Sequence, residues 1–151
     1  VRRRNKKAAG FVYGTGDPDL VQHLRKVKGL KVQGYYRAGT LATLFARDRI
    51  AVAVLPSIWP EPYGLVVDEC LAAGVPTVVF DLGAVADRLN FWEVGRVVRP
   101  QHGPPGIATA VFDAIGRSLT IPADVIKTIP TPAKAARRMT DLYKNLRVRI
   151  R

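Results

Sequence analysis

Two glutamates, Glu61 and Glu69, stand eight residues apart, one in a proline-framed loop and one inside an apolar helical pattern. Between them, Tyr63-Gly64-Leu65-Val66 reads as the opening of a helix. A glycine at that point lets the backbone approach a ligand closely, and the amides that follow it lack intrahelical partners. Such a helix end presents N–H groups to an anion such as a diphosphate. Carboxylates on either side can accept hydrogen bonds from sugar hydroxyls. The residue set therefore suits a nucleotide-sugar ligand.

Glu69 falls about five residues into the helix, roughly 7–8 Å along its axis. Its neighbours Val66, Val67, Cys70 and Leu71 are apolar, so that face is mostly buried, and a buried carboxylate needs a partner. A ribose diol is one such partner; a neighbouring basic residue or helix end is the other. Asp68 points to another side and reads as a solvated acid.

The elements that must position these groups alternate in type. Strands are expected at 8–13, 31–33, 50–55, 77–80 and 96–98, where short apolar runs recur. Helices are expected from Asp17, which can cap with Pro18 in the first turn, to about Val27, and over 39–47, 64–73, 105–118 and about 133–145. Gly74 takes the left-handed position that ends the third of these. Residues 81–84 and 121–132 read as loops. The pattern predicts an α/β fold, a doubly wound parallel sheet of about five strands flanked by helices. Ligands of such sheets bind beyond the carboxyl ends of the strands, and Leu55 ends a strand directly before the Glu61 loop.

Pro56-Ser57, Glu61, Tyr63-Gly64, Glu69, Ala72-Ala73-Gly74 and Val75-Pro76 together resemble the Glu-x7-Glu signature of the retaining GT-B enzymes called glycosyl transferases group 1. The resemblance runs from about Phe11 to Gly116. It implies the Rossmann-like, donor-binding half of a GT-B fold, metal-independent and without a cofactor. Glu61 would approach the donor sugar and support charge at the anomeric centre, and Glu69 would hold the ribose. The amides around Tyr63, Gly64, Leu65 and Val66 would hold the diphosphate. Gly34 and Tyr35, after the short strand Val32-Gln33, would lie beside the base. Gly83 falls in a further ligand-side loop, Asp81-Leu82-Gly83-Ala84. Here the family commonly carries a glycine pair and then an acid, so this loop departs from the pattern. The family's diphosphate-neutralising arginine and lysine have no counterpart in Arg2–Lys7 and are expected, with the acceptor domain, outside this sequence. The implied partners are a nucleoside-diphosphate sugar and that N-terminal acceptor domain.

The net charge of +12 sits at the ends. Residues 1–7 carry +5 and residues 134–151 carry +6, while the centre holds twelve bases and eleven acids. The domain is thus read as 8–132, with a basic lead-in over 1–7, the end of a truncated helix, and a basic helix and tail over 133–151. A noncatalytic nucleotide-sugar module is the rival reading. The basic ends also permit an anionic membrane surface as partner, whereas no specific nucleic-acid partner is expected. The last helix carries Ala135, Met139, Leu142, Leu146 and Val148 along one stripe and is expected to pack against the acceptor domain. One cysteine, Cys70, excludes an internal disulfide and reads as a small buried apolar residue. The expected location is cytoplasmic, with the cytoplasmic membrane face as a candidate surface. Asp17-Pro18-Asp19 matches a metal-binding Asp-x-Asp pattern, but at a helix start it reads as a cap.

Overall fold

The computed structural model describes residues 8–148. The basic lead-in over 1–7 and the tail from 149 lie outside them. Five strands alternate with helices: β1 (Gly10–Tyr13), α1 (Pro18–Lys26), β2 (Leu30–Gly34), α2 (Leu41–Asp48), β3 (Ala53–Leu55), α3 (Leu65–Ala72), β4 (Thr77–Phe80), α4 (Gly83–Trp92) and β5 (Gly95–Val98). A single 3₁₀ turn at Pro100–His102 leads into α5 (Gly103–Gly116), followed by α6 (Ala123–Thr128) and α7 (Pro132–Val148).

All strand pairs among the described residues are parallel. They fall into two sheets, β1–β2 and β3–β4–β5, where one sheet of about five strands was expected. The two are joined through side chains instead: Tyr13 of β1 packs on a cluster of Leu41 and Phe45 of α2, Ala53 of β3, Cys70 of α3 and Val75. The fold is α/β and Rossmann-like, parallel strands covered by helices.

β4 is the centre of the larger sheet, and its apolar run is what a strand covered on both faces requires. Successive strand residues point to opposite faces. Val79 accordingly packs with Val67 and Leu71 of α3 and with Val85, Ala86 and Leu89 of α4. Val78 packs on the other face with Val98 and with Val111 of α5. Val67 and Leu71 are fully buried, and burial of each stabilises the fold by about 1.5–3 kcal/mol. That packing fixes the axis of α3, and with it the place of its N-terminus.

Local signals behave as their chemistry demands. Asp17 caps α1, its Oδ1 accepting from the N–H groups of Asp19 and Leu20 at 3.0 and 3.1 Å. Gly74 ends α3 at φ +72°, donating to Leu71 O, while Val75 donates to Cys70 O. Cys70 is buried, and burial pushes its thiol up to about 12. Two expectations fail. α4 starts at Gly83, inside the expected 81–84 loop, and runs to Trp92 over residues given no element, and 123–128 form α6 inside the expected 121–132 loop. In both, buried residues at helical spacing outweigh the turn residues around them: Val85, Ala86 and Leu89 in one, Val125 and the C-cap Ile129 in the other.

α7 lies on the surface: its described side chains are exposed from Ala133 to Asn145, including Met139, Leu142 and Tyr143.

Candidate functional site

The site begins at the carboxyl end of β3. The chain leaves Leu55 through Pro56, Pro60 and Pro62, which restrict the loop, and Ile58 and Trp59 stay exposed at its tip. The loop is fastened from two sides. Ser57 Oγ donates to Oε1 of Glu61. The main chain of Glu61 forms an isolated parallel bridge with Gly83, and its carbonyl accepts from Ala84 N–H at 3.2 Å.

Gly83 makes that contact possible. It sits at φ +64°, and a Cβ there would come 2.9 Å from Glu61 O and 3.0 Å from Pro60 Cα. The first turn of α4 is therefore the floor beneath the Glu61 loop.

Gly64 opens α3 at φ 72°, ψ 73°. The N–H of Val67 turns back onto Gly64 O at 3.0 Å, so the N–H groups of Leu65 and Val66 precede the first internal bond of the helix. A Cβ on Gly64 would meet Val85 Cγ2 at 2.4 Å and would stand 3.5 Å from Oε2 of Glu61. The Glu61 carboxylate thus lies beside an open helix N-terminus, on the favourable side of the helix dipole. Glu61, Gly64 and Val66 line a cleft of about 180 Å³ with Ser57, Trp59 and Leu82. Ligand sites usually measure about 300–1,000 Å³, so this cleft by itself is smaller than a usual ligand site.

Glu69 does not line that cleft. Its Oε2 accepts from Tyr36 Oη at 3.1 Å and its Oε1 from Gly39 N–H at 3.0 Å. These donors belong to the loop after β2, so Glu69 ties that loop to α3. One bond to each oxygen leaves lone pairs for further donors. Burial, then the hydrogen bond to Glu69, pushes the Tyr36 phenol up to about 12. Gly34 ends β2 at φ +77° and its carbonyl accepts from Gly14 N–H. Tyr35 is four-fifths exposed on the same rim.

Tyr63 faces away from the cleft. Its ring lies against the Arg88 guanidinium, 4.5 Å from centroid to Cζ, and its hydroxyl donates to Asp68 Oδ2 at 2.7 Å. Asp68 corrects the expectation of a solvated acid: it is buried and ion-paired with Arg88. Its neighbour Val67 packs on α4, which brings the Arg88 side chain within reach. Sequence reasoning missed Tyr36 and Arg88, and named Ser57 in the motif without giving it a role. The apolar spacing of Val85, Ala86 and Leu89 could have revealed α4, and with it a lone cation facing the helix of the two glutamates.

Residues 1–116 match the family described as Glycosyl transferases group 1. The chain belongs to this family. It is 32% identical over 113 residues to a phosphatidyl-myo-inositol mannosyltransferase of Mycobacterium leprae, covering 70% of this chain and 27% of that protein. It is 31% identical over 116 residues to an uncharacterized glycosyltransferase of Methanocaldococcus jannaschii, covering 74% of this chain and 28% of the other. The chain thus spans a little over a quarter of the length of these relatives. Both matches are long enough to take in the whole Glu61–Glu69 segment and the sheet that carries it.

Proposed function

We propose that this glycosyltransferase domain binds a nucleoside-diphosphate sugar at the rim formed by residues 56–66 and 34–39. It acts as the donor half of a GT-B enzyme that transfers the sugar with retention and without a metal. The observation that carries this reading is the Glu61 carboxylate beside the left-handed Gly64, which opens α3 onto the cleft.

The amides of Leu65 and Val66, with the helix dipole behind them, hold the diphosphate and offset the charge that leaves with it. Glu61 accepts from hydroxyls of the donor sugar and stabilises positive charge developing at the anomeric carbon. Ser57 holds that carboxylate by one oxygen, which leaves the other for the substrate. Glu69 accepts from the ribose with the lone pairs that Tyr36 and Gly39 leave open. Gly34 and Tyr35 flank the base, and Gly83 lets the Glu61 loop sit close above α4. The acceptor and further cations come from a second domain, whose closure over the rim excludes water. The name of the Mycobacterium leprae relative suits an acceptor presented at a lipid surface; the basic, exposed α7 is compatible with an anionic one.

Titration of isotope-labelled protein with UDP, GDP and ADP tests the reading. Amide signals of Gly64, Leu65 and Val66 should move with at least one of them. Changes confined to the basic ends and abolished by salt would overturn it.

A further inference from the structure

Behind the rim, on the side of Tyr63 away from the cleft, Arg88, Asp68 and Tyr63 form a closed ring of contacts, with Trp92 against Arg88. Arg88 Nη1 donates to the main-chain carbonyl of Tyr63 at 2.8 Å, and Nη2 donates to Asp68 Oδ1. Tyr63 Oη donates to the other oxygen of the same carboxylate, Asp68 Oδ2, at 2.7 Å. The guanidinium lies between two rings, 4.5 Å from the Tyr63 centroid and 5.4 Å from that of Trp92. The Arg88 and Asp68 side chains are only 17% and 10% exposed, so the pair is shielded from solvent screening. None of Arg88, Asp68 and Tyr63 lines the cleft.

We propose that Arg88 is a positioning residue, acting through Asp68 and Tyr63 to aim the peptide that opens α3. It grips the last carbonyl before Gly64. In a trans peptide the carbonyl and the following N–H point in opposite directions, and the described chain has no cis bonds. Holding Tyr63 O toward α4 therefore turns Gly64 N–H to the opposite side. Glycine at φ 72° has no side chain to resist rotation of that peptide. The restraint has to come from outside, and Arg88 supplies it at the carbonyl while Asp68 supplies it at the ring hydroxyl. Arginine suits the place because one planar group reaches the carbonyl and the carboxylate at once while stacking on both rings. A lysine ammonium has neither the fork nor the plane. The consequence for binding rests on the reading that the α3 amides hold the donor diphosphate; the consequence for the turn itself does not.

The experiment uses the full chain as wild type, Arg88→Met, Arg88→Lys, and Arg88→Met combined with Asp68→Asn. The last removes the lone buried carboxylate that could unfold the single variant. Backbone order parameters and nucleoside-diphosphate affinity are measured on each. The wild type should be rigid at Tyr63–Val66, near 0.85, and the methionine variants should drop to about 0.6 or below there while β4 stays rigid. Affinity for the best of UDP, GDP and ADP should fall about tenfold, with lysine recovering only part of either change. Turn residues as rigid in both methionine variants as in wild type would overturn the proposal. So would a loosened turn with unchanged affinity. If the wild type binds none of the three diphosphates, the donor reading fails, and the order parameters alone decide whether Arg88 positions the turn.

Discussion

Tyr36 and Glu69 are joined by a 3.1 Å hydrogen bond that crosses from the loop after β2 to the middle of α3. With Gly39 N–H on its other oxygen, the Glu69 carboxylate organises a loop thirty residues earlier in the chain. An amide in its place offers one acceptor oxygen, and its NH₂ can accept from neither donor. Glu69→Gln should therefore release either Tyr36 or the Gly39 turn. The Tyr36 phenol, raised first by burial and then by this bond, should titrate below about 12 in the variant while remaining above an ordinary tyrosine. Absorbance of the phenolate band against pH, with Tyr36→Phe identifying the signal, checks this. An unshifted titration would mean that neither the bond nor the charge of Glu69 acts on the phenol.

The two glutamates should separate in function. Glu69→Gln is expected to weaken nucleotide binding, because a bond to a charged acceptor contributes about 1.5–3 kcal/mol and its loss corresponds to about tenfold or more in affinity. Glu61→Gln should leave nucleotide affinity within about twofold of wild type and instead abolish transfer in the whole enzyme, since Glu61 lines the cleft and in the proposed reading meets the sugar and not the nucleotide. Calorimetric affinities for the two variants give the comparison. Equal losses in both would contradict the division of roles.

Much of this site was legible in residue types. The alternation of strands and helices, the Asp17 cap and the Gly74 stop each follow from short-range rules, and the fold obeys them. The Gly64 opening was legible too, because a proline-framed loop stops at a glycine directly before an apolar helical run. Asp68 was misread because the helical period says which face a residue occupies but not what faces it. Arg88 arrives from a helix twenty residues later to which the sequence pattern assigned no element. Tyr36 escaped for a related reason: Tyr35 and Tyr36 are equivalent in composition, and only the direction of the chain after Gly34 decides which one turns inward. The break between the two sheets depends on which strands share a ladder, a long-range property without a local signature.

Alkaline pH should destabilise the domain earlier than its surface charge suggests. The Tyr36 phenol and the Cys70 thiol are both raised to about 12 in the folded chain, and Tyr13 is raised in the same direction by burial and by its bond to Asp48. Their ordinary values are 10.0 for the tyrosines and 9.0 for the cysteine. All three groups are neutral when protonated, so the folded state holds these protons more tightly than the unfolded one. Their contribution is fully present below about pH 9, declines as the unfolded chain ionises, and is lost as pH rises through about 12. Urea midpoints at pH 8, 10 and 11 should fall steadily, and Tyr36→Phe should flatten the upper part of the decline. A midpoint independent of pH over that range would refute the shifts.

Gly64 carries two separable demands, and a double-mutant cycle can pull them apart. Alanine at φ 72° costs roughly 1–2 kcal/mol as a left-handed residue. Its Cβ would also stand 2.4 Å from Val85 Cγ2, a contact that cannot persist without movement of α4 or of the turn. Gly64→Ala should therefore destabilise the domain by about 2–4 kcal/mol, near the upper end of what single substitutions do. Val85→Ala alone removes buried methyl groups beside Val67 and Val79 and costs about half of that by the usual transfer and cavity terms. Combined, the second change removes the atom that the first collides with. The double variant should be more stable than the sum of the two losses predicts, by about 1 kcal/mol, whereas independent sites add. Chemical denaturation of the four proteins measures the coupling directly. Strict additivity would mean that Val85 yields freely and that the backbone angle alone demands glycine. A positive coupling would show that α4, through Val85 as well as Arg88, presses the α3 opening into place.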